Sequence, residues 1–286
     1  MFYECTFDFE KCVQTWNENW EKVCKLAASQ TDNLPKFEDI VDDDIFSNVI
    51  SQLLENKECF TTDSSDISAL FRGIQESDSN KICVDRFIPK WEYVNKSCPN
   101  RMNGTDRLYS YFTIDYEGCT GEDLIYTSAH ELRLRADDQF WGSYFSFAES
   151  KHTLKFVNIR SKCKIPKSNE ECLNFLKSRA THGKKFGPVD KDELMKWVIQ
   201  IVFSIWENSD MFAPIDNRSP NNLWLQYRPF HILCDYFERH GFDGIIYRST
   251  VYKPGACLAL FNICNAVCDP NSICKYDTPK YIGRRK

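Results

Sequence analysis

Arg72, Arg101, Tyr109, Glu131 and Ser249 are polar residues set in apolar, strand-like surroundings. These are Ala69-Leu70-Phe71-Arg72-Gly73-Ile74, Asn100-Arg101-Met102-Asn103-Gly104, Arg107-Leu108-Tyr109-Ser110-Tyr111-Phe112, Ser128-Ala129-His130-Glu131-Leu132-Arg133 and Gly244-Ile245-Ile246-Tyr247-Arg248-Ser249. Between them these side chains can grip an anion, stabilise a positive centre, stack on a flat ring and offer a hydroxyl, without a metal or a nucleophilic thiol. Each also has an ordinary structural reading. An Arg in a strand commonly snorkels at an edge, a Glu after Ala-His commonly sits exposed on a helix, and a Ser after a strand commonly belongs to a turn. Taken singly, none carries a function.

The familiar catalytic motifs are missing. The chain has no GxGxxG, GxxxxGK[ST], HExxH or GxSxG, which removes the commonest nucleotide-binding and hydrolase classes. His130, His152, His182, His231 and His240 are scattered without metal-ligand spacing. Cys264-x3-Cys268-x5-Cys274 is a compact thiol cluster that lacks a fourth ligand at a convincing distance, so no metal is expected.

The elements that must position these residues change character along the chain. Phe9 to Ala28, with Trp16, Trp20, Val23 and Cys24, and Asp42 to Glu55, with Ile45, Phe46, Val49, Ile50, Leu53 and Leu54, predict amphipathic helices. The polar stretch Thr61 to Asp66 reads as a connection, with a boundary near residue 65. Short apolar runs then predict strands over Ala69 to Ile74, Arg107 to Ile114, Gly142 to Phe147, Thr153 to Ile159, Phe242 to Tyr247 and Cys257 to Phe261. Helices are predicted over Asp192 to Trp206 and Pro229 to His240, the second closing on Gly241 as a C′ residue. Strands with inserted helices, rather than a regular βαβ alternation, give an α+β fold. The expected organisation is a helical extension over 1–65, a main domain over 66–265 and a basic, Cys-containing tail over 266–286.

The 286 residues are enough for one large domain with a small extension, and 42% hydrophobic and 14% aromatic content suits a well-packed core. With 41 acidic against 36 basic residues the net charge is -5, which argues against generic nucleic-acid binding, because that affinity comes mostly from neutralised phosphates. No run approaches a membrane span, and residues 1–11 carry acids where a secretory signal would carry bases, so a cytoplasmic protein is expected. Most of the 14 Cys, such as Cys24, Cys83 and Cys234, sit beside apolar residues and are expected reduced.

In order and local wording, the five polar residues resemble the RES domain, a family named for its Arg, Glu and Ser. The resemblance covers about residues 66–265. Phe71-Arg72-Gly73 resembles the opening Arg strand; Arg86 competes with Arg72 for that place. Phe87-Ile88-Pro89, Asn100-Arg101-Met102-Asn103-Gly104 and Leu108-Tyr109 resemble the second Arg segment, and Ala129 to Arg133 sits where the family carries its Glu. Gly241 to Ser249, then Pro254-Gly255 and Leu258 to Phe261, match the C-terminal signature most specifically. Cys257 stands near the position where the family commonly has Asn.

The resemblance implies an ADP-ribosyltransferase-like fold and an enzyme that consumes NAD, with phosphate, water or a protein as acceptor. It implies Arg72 and Arg101 at the pyrophosphate or an incoming phosphate, Glu131 at the ribose, Tyr109 stacked on the nicotinamide or ribose, and Ser249 at the carboxamide or a phosphate oxygen. Asn103, Tyr247 and Gly255 join them as substrate-binding positions, and Gly244 would also permit close backbone approach. The expected role is a toxin or defence effector that degrades NAD by phosphorolysis or hydrolysis, with a helix-turn-helix antitoxin as partner, a homodimer as candidate assembly, and neither membrane nor nucleic acid bound. Protein ADP-ribosylation on the same fold, or an inactive NAD- or protein-binding module, are the alternatives.

Overall fold

The computed structural model describes residues 8–29, 57–90, 108–149, 153–160, 168–174, 191–209, 220–252 and 254–283, with a few isolated positions besides. Arg101, Asn103 and most of the helix expected over Asp42 to Glu55 lie outside the described residues. The chain divides into two compact units, 1–60 with 160–215, and 61–159 with 216–286. The longer helices are α1 (Phe9–Ser29), α2 (Gly121–Glu131), α3 (Lys191–Asn208) and α4 (Pro220–Arg239), followed by the short α5 (Thr278–Ile282).

Among the described residues the second unit is built on a nine-stranded sheet of β1 (Thr61–Asp63), β2 (Ala69–Gln75), β3 (Ser110–Asp115), β4 (Phe140–Phe147), β5 (Lys155–Asn158), β6 (Gly244–Arg248), β7 (Ala256–Leu260), β8 (Ala266–Cys268) and β9 (Cys274–Tyr276). Its order is β1-β5-β6-β7-β3-β2-β4-β8, with β9 also paired to β4. Only β5 and β6 run parallel; the other pairings are antiparallel. The fold is therefore mixed, with a mainly antiparallel sheet and helices. Alternation along the strands separates two cores. Leu70, Phe112, Ile114, Phe145, Ile246, Leu258 and Leu260 fill one face, while Phe71 and Phe140 pack on the other with Leu124, Tyr126 and Ala129 of α2 and Tyr281 of α5.

Three stretches differ from expectation. Thr61–Asp63, expected in a connection, is an edge strand, because the Thr62 hydroxyl joins Asn158 and Tyr116 in a buried polar cluster at 2.9 to 3.0 Å. The expected tail after residue 265 instead adds β8 and β9 to one edge of β4, tied by the wholly buried Ser143, whose hydroxyl meets that of Ser272 at 2.9 Å. Helix α4 begins at Pro220 rather than Pro229, so Pro229 lies inside it. Residues 228–234 are all buried, and that packing outweighs the backbone bond which an internal proline forfeits. Its far end follows the sequence closely. Gly241 has φ 83, Gly241 N–H donates to Glu238 O, Phe242 N–H donates to Phe237 O, and the two Phe rings meet edge to face at 5.9 Å, a complete Schellman cap.

In the first unit α1 packs on α3. Trp16 and Trp206 lie 5.0 Å apart between ring centres, Trp206 also meets Phe203, and Phe203 meets Phe60 edge to face. The N-terminus of α1 is held by Asn169, whose side chain accepts from Phe9 N–H while its own N–H donates to Glu10. Trp206 is fully buried. Trp206→Ala is expected to lower the stability of this unit by about 3–5 kcal/mol, the range for emptying an aromatic site, read as an earlier midpoint in urea denaturation followed by circular dichroism.

Candidate functional site

The β2–β3 ladder ends at the pair Phe71 and Thr113. Beyond it β2 continues to Gln75 on β4 alone, while β3 holds β7 as far as the pair of Ser110 with Leu260. The strands therefore fork, and a cavity of about 390 Å³ opens there, within the roughly 300–1,000 Å³ usual for small-molecule sites. Thr113 pins the fork: its hydroxyl lies 3.2 Å from Phe71 O and 2.9 Å from Leu124 O of α2. Tyr111, Tyr227, Tyr247, Cys257 and the C-terminal end of α2 complete the wall.

Arg72 lies at the fork. By alternation it shares the face of Leu70 and Ile74, and its Nη1 donates to Tyr111 O at 3.3 Å. Its Nε is buried without a hydrogen-bond partner among the described residues, and burial pushes the guanidinium down to about 10, still charged at neutral pH. Such a group can accommodate an anion, because a charged donor withdrawn from water is best satisfied by an opposite charge.

Across the cavity Glu131 is the last residue of α2 and is exposed. Ser249, 118 positions away, donates its hydroxyl to Glu131 Oε1 at 2.6 Å. The N–H groups of Val251 and Tyr252 donate to the same serine oxygen at 3.3 and 3.0 Å, so the hydroxyl proton is directed onto the carboxylate. Cys257 Sγ lies 3.9 Å from that carboxylate oxygen. Helix α2 ends in a second Schellman cap, with Arg133 N–H on His130 O and Leu134 N–H on Ala129 O. Here the C′ residue is Arg133, held at φ 53 where glycine is usual, and it too lines the cavity.

The structure thus brings Arg72, Glu131 and Tyr247 to one cavity, with Ser249 bonded to it through Glu131. Arg86 instead pairs with Glu76 at 2.7 Å and is not part of the wall. Tyr109, expected as a stacking platform, is a core residue. It is 2% exposed, its ring lies 4.8 Å from Phe261 and its hydroxyl donates to Glu238 of α4. It sits one residue before β3, where α4 covers the sheet, whereas Tyr111 reaches the fork. Gly255, expected at a ligand, instead allows its loop to press on α2, because a Cβ there would collide with Thr127. Gly244 likewise packs on the β7 backbone at Ala259. Tyr111, Arg133 and Tyr227 were not singled out as site residues from the sequence; the positive φ of Arg133 and the end of one ladder before another are visible only in three dimensions.

No protein-family model and no curated protein matches the chain. Among solved structures it matches a chain of the crystal structure of the M. tuberculosis MbcT–MbcA toxin–antitoxin complex, at 7% identity and a TM-score of 0.36, over 80% of this chain and 94% of that one. No helix among the described residues is long and apolar enough to cross a membrane.

The contact between Gly255 and Thr127 is directly testable. Gly255→Ala is expected to lower stability by about 1–3 kcal/mol, as for an overpacked site. Thr127→Ala in the same chain should recover part of that loss, measured as a double-mutant cycle in urea denaturation.

Proposed function

We propose that the second unit is a RES-type domain that binds NAD at the β2–β3 fork and cleaves its nicotinamide–ribose bond. The observation that carries this reading is the meeting, in one small-molecule cavity, of Arg72 with the Glu131 carboxylate that Ser249 orients at 2.6 Å. These are the three residue types whose order along the chain resembles the family.

The chemistry suits them. When the glycosidic bond breaks, its electron pair passes to the pyridinium nitrogen and nicotinamide leaves neutral, so no general acid has to protonate it. Positive charge then builds on the ribose. Glu131 can stabilise that charge or hold a ribose hydroxyl, and the proton from Ser249 fixes one carboxylate oxygen so that the other faces the ligand. Arg72, with Nε in reserve, binds a phosphate oxygen of NAD or an incoming phosphate. Tyr247 and Tyr111 offer flat surfaces for the planar ring. Phosphate or water then bonds to the ribose carbon that nicotinamide has left, water giving up a proton to solvent as it does so. On this reading the protein is a toxin or defence effector restrained by an antitoxin partner. A second reading, a binding module without turnover, is favoured by Cys257, whose thiol borders Glu131 where the family commonly carries an amide.

The deciding experiment is nicotinamide release from NAD by the purified protein, with and without inorganic phosphate, followed by chromatography. Glu131→Gln is expected to reduce turnover at least about 100-fold, the scale of losing one preorganised electrostatic group, with the melting temperature kept within a few degrees. NAD binding without release of nicotinamide would select the binding module.

A further inference from the structure

The loop from Ser249 to Gly255 is fastened along a single face of α2. Asp123, Thr127 and Glu131 follow one another at i, i+4 and i+8, so they stand in a row on that helix. The loop meets all three. Ser249 donates to Glu131, Gly255 packs on Thr127, and the Tyr252 hydroxyl donates to Asp123 Oδ1 at 3.1 Å. Between these points the Tyr252 ring lies near parallel to two α2 rings, that of His130 at 5.4 Å and 11°, and that of Tyr126 at 5.8 Å and 16°.

We infer that Tyr252 and Asp123 are positioning residues that set the Ser249–Glu131 pair from the opposite end of α2. Two observations make the connection mechanical. The backbone N–H of Tyr252 is itself a donor to Ser249 Oγ, at 3.0 Å, so a movement of the Tyr252 ring displaces an amide that orients the serine hydroxyl. Asp123 is equally constrained. Its Oδ2 accepts from the N–H and the hydroxyl of Thr120, both at 2.8 Å, in the capping box that starts α2, while Oδ1 remains for Tyr252. The first turn of the helix thus fixes a phenol whose backbone helps to orient the serine hydroxyl on Glu131, at the helix's last residue.

The inference rests on the proposed function only for its catalytic consequence, so its test has two arms. Tyr252→Phe keeps the ring stack and removes the bond to Asp123; Tyr252→Ala removes both. In the first arm, hydrogen exchange followed by mass spectrometry is read on the 249–255 segment. Exchange there should accelerate roughly tenfold in Tyr252→Phe, the scale of one hydrogen bond to a charged group, and further in Tyr252→Ala, while strands β3 and β7 keep their protection. In the second arm, nicotinamide release should show a several-fold lower kcat in Tyr252→Phe with KM for NAD little changed, and Asp123→Ala combined with Tyr252→Phe should be no worse than Asp123→Ala alone. Unchanged exchange at 249–255 in Tyr252→Ala overturns the inference, whether or not the protein cleaves NAD. Faster exchange with no nicotinamide release from the wild type upholds the coupling and rejects the proposed reaction. Faster exchange with unaltered kcat overturns the catalytic part of the inference alone.

Discussion

Neighbouring strands of a sheet cannot both keep their hydrogen-bond ladder and leave room between them for a ligand. In this protein the conflict is resolved at one pair of residues, Phe71 and Thr113, where β2 leaves β3. Each departing strand retains a partner on its other side, β4 for β2 and β7 for β3, so both arms of the fork stay in the sheet. The Tyr111 carbonyl, beyond the last pair, is met by the guanidinium of Arg72. The cavity, the placement of α2 over it and the withdrawal of Arg72 from water all follow from where this ladder stops.

The same constraint accounts for the two ways in which residues reach the site. Arg72, Tyr111 and Tyr247 are strand residues, fixed by the sheet. Glu131 and Arg133 stand at the end of a helix whose cap places a non-glycine residue at positive φ, a conformation that costs about 1 kcal/mol or more. The buried Ala129 and Leu134 on either side of that cap draw the chain inward and hold it there. Arg133 thereby gains a position at the cavity rim that a freely turning loop would not secure.

How far the sequence could be read depended on the kind of information each feature carries. Strands carried by short apolar runs, such as Ala69–Gln75 and Ala256–Leu260, announce themselves, as does the glycine that closes α4. Thr61–Asp63, Ala266–Cys268 and Cys274–Tyr276 do not, because three-residue edge strands owe their existence to the partner they pair with rather than to their own composition. Arg72, Glu131 and Ser249 stand out in the sequence through their order along the chain, and the fold brings the first two to one cavity with Ser249 bonded to Glu131. Tyr109 and Tyr111 were indistinguishable by type and by parity, and only the coverage of the first by α4 separates a core ring from a cavity wall. Gly255 was expected to let the backbone approach a ligand, and what approaches it is the chain itself, at Thr127.

The outer edge of β4 is closed by the short strands β8 and β9. Its residues 140–142 are covered by β9 and 145–147 by β8, and Ser143 stitches the gap between them to Asp269 and Ser272. An eight-residue strand as apolar as Phe-Trp-Gly-Ser-Tyr-Phe-Ser-Phe, left with a bare edge, is a template for adding strands from other molecules. The two short strands β8 and β9 therefore close an edge of the kind that templates strand addition, and they do so with a segment that contributes no side chain to the cavity wall.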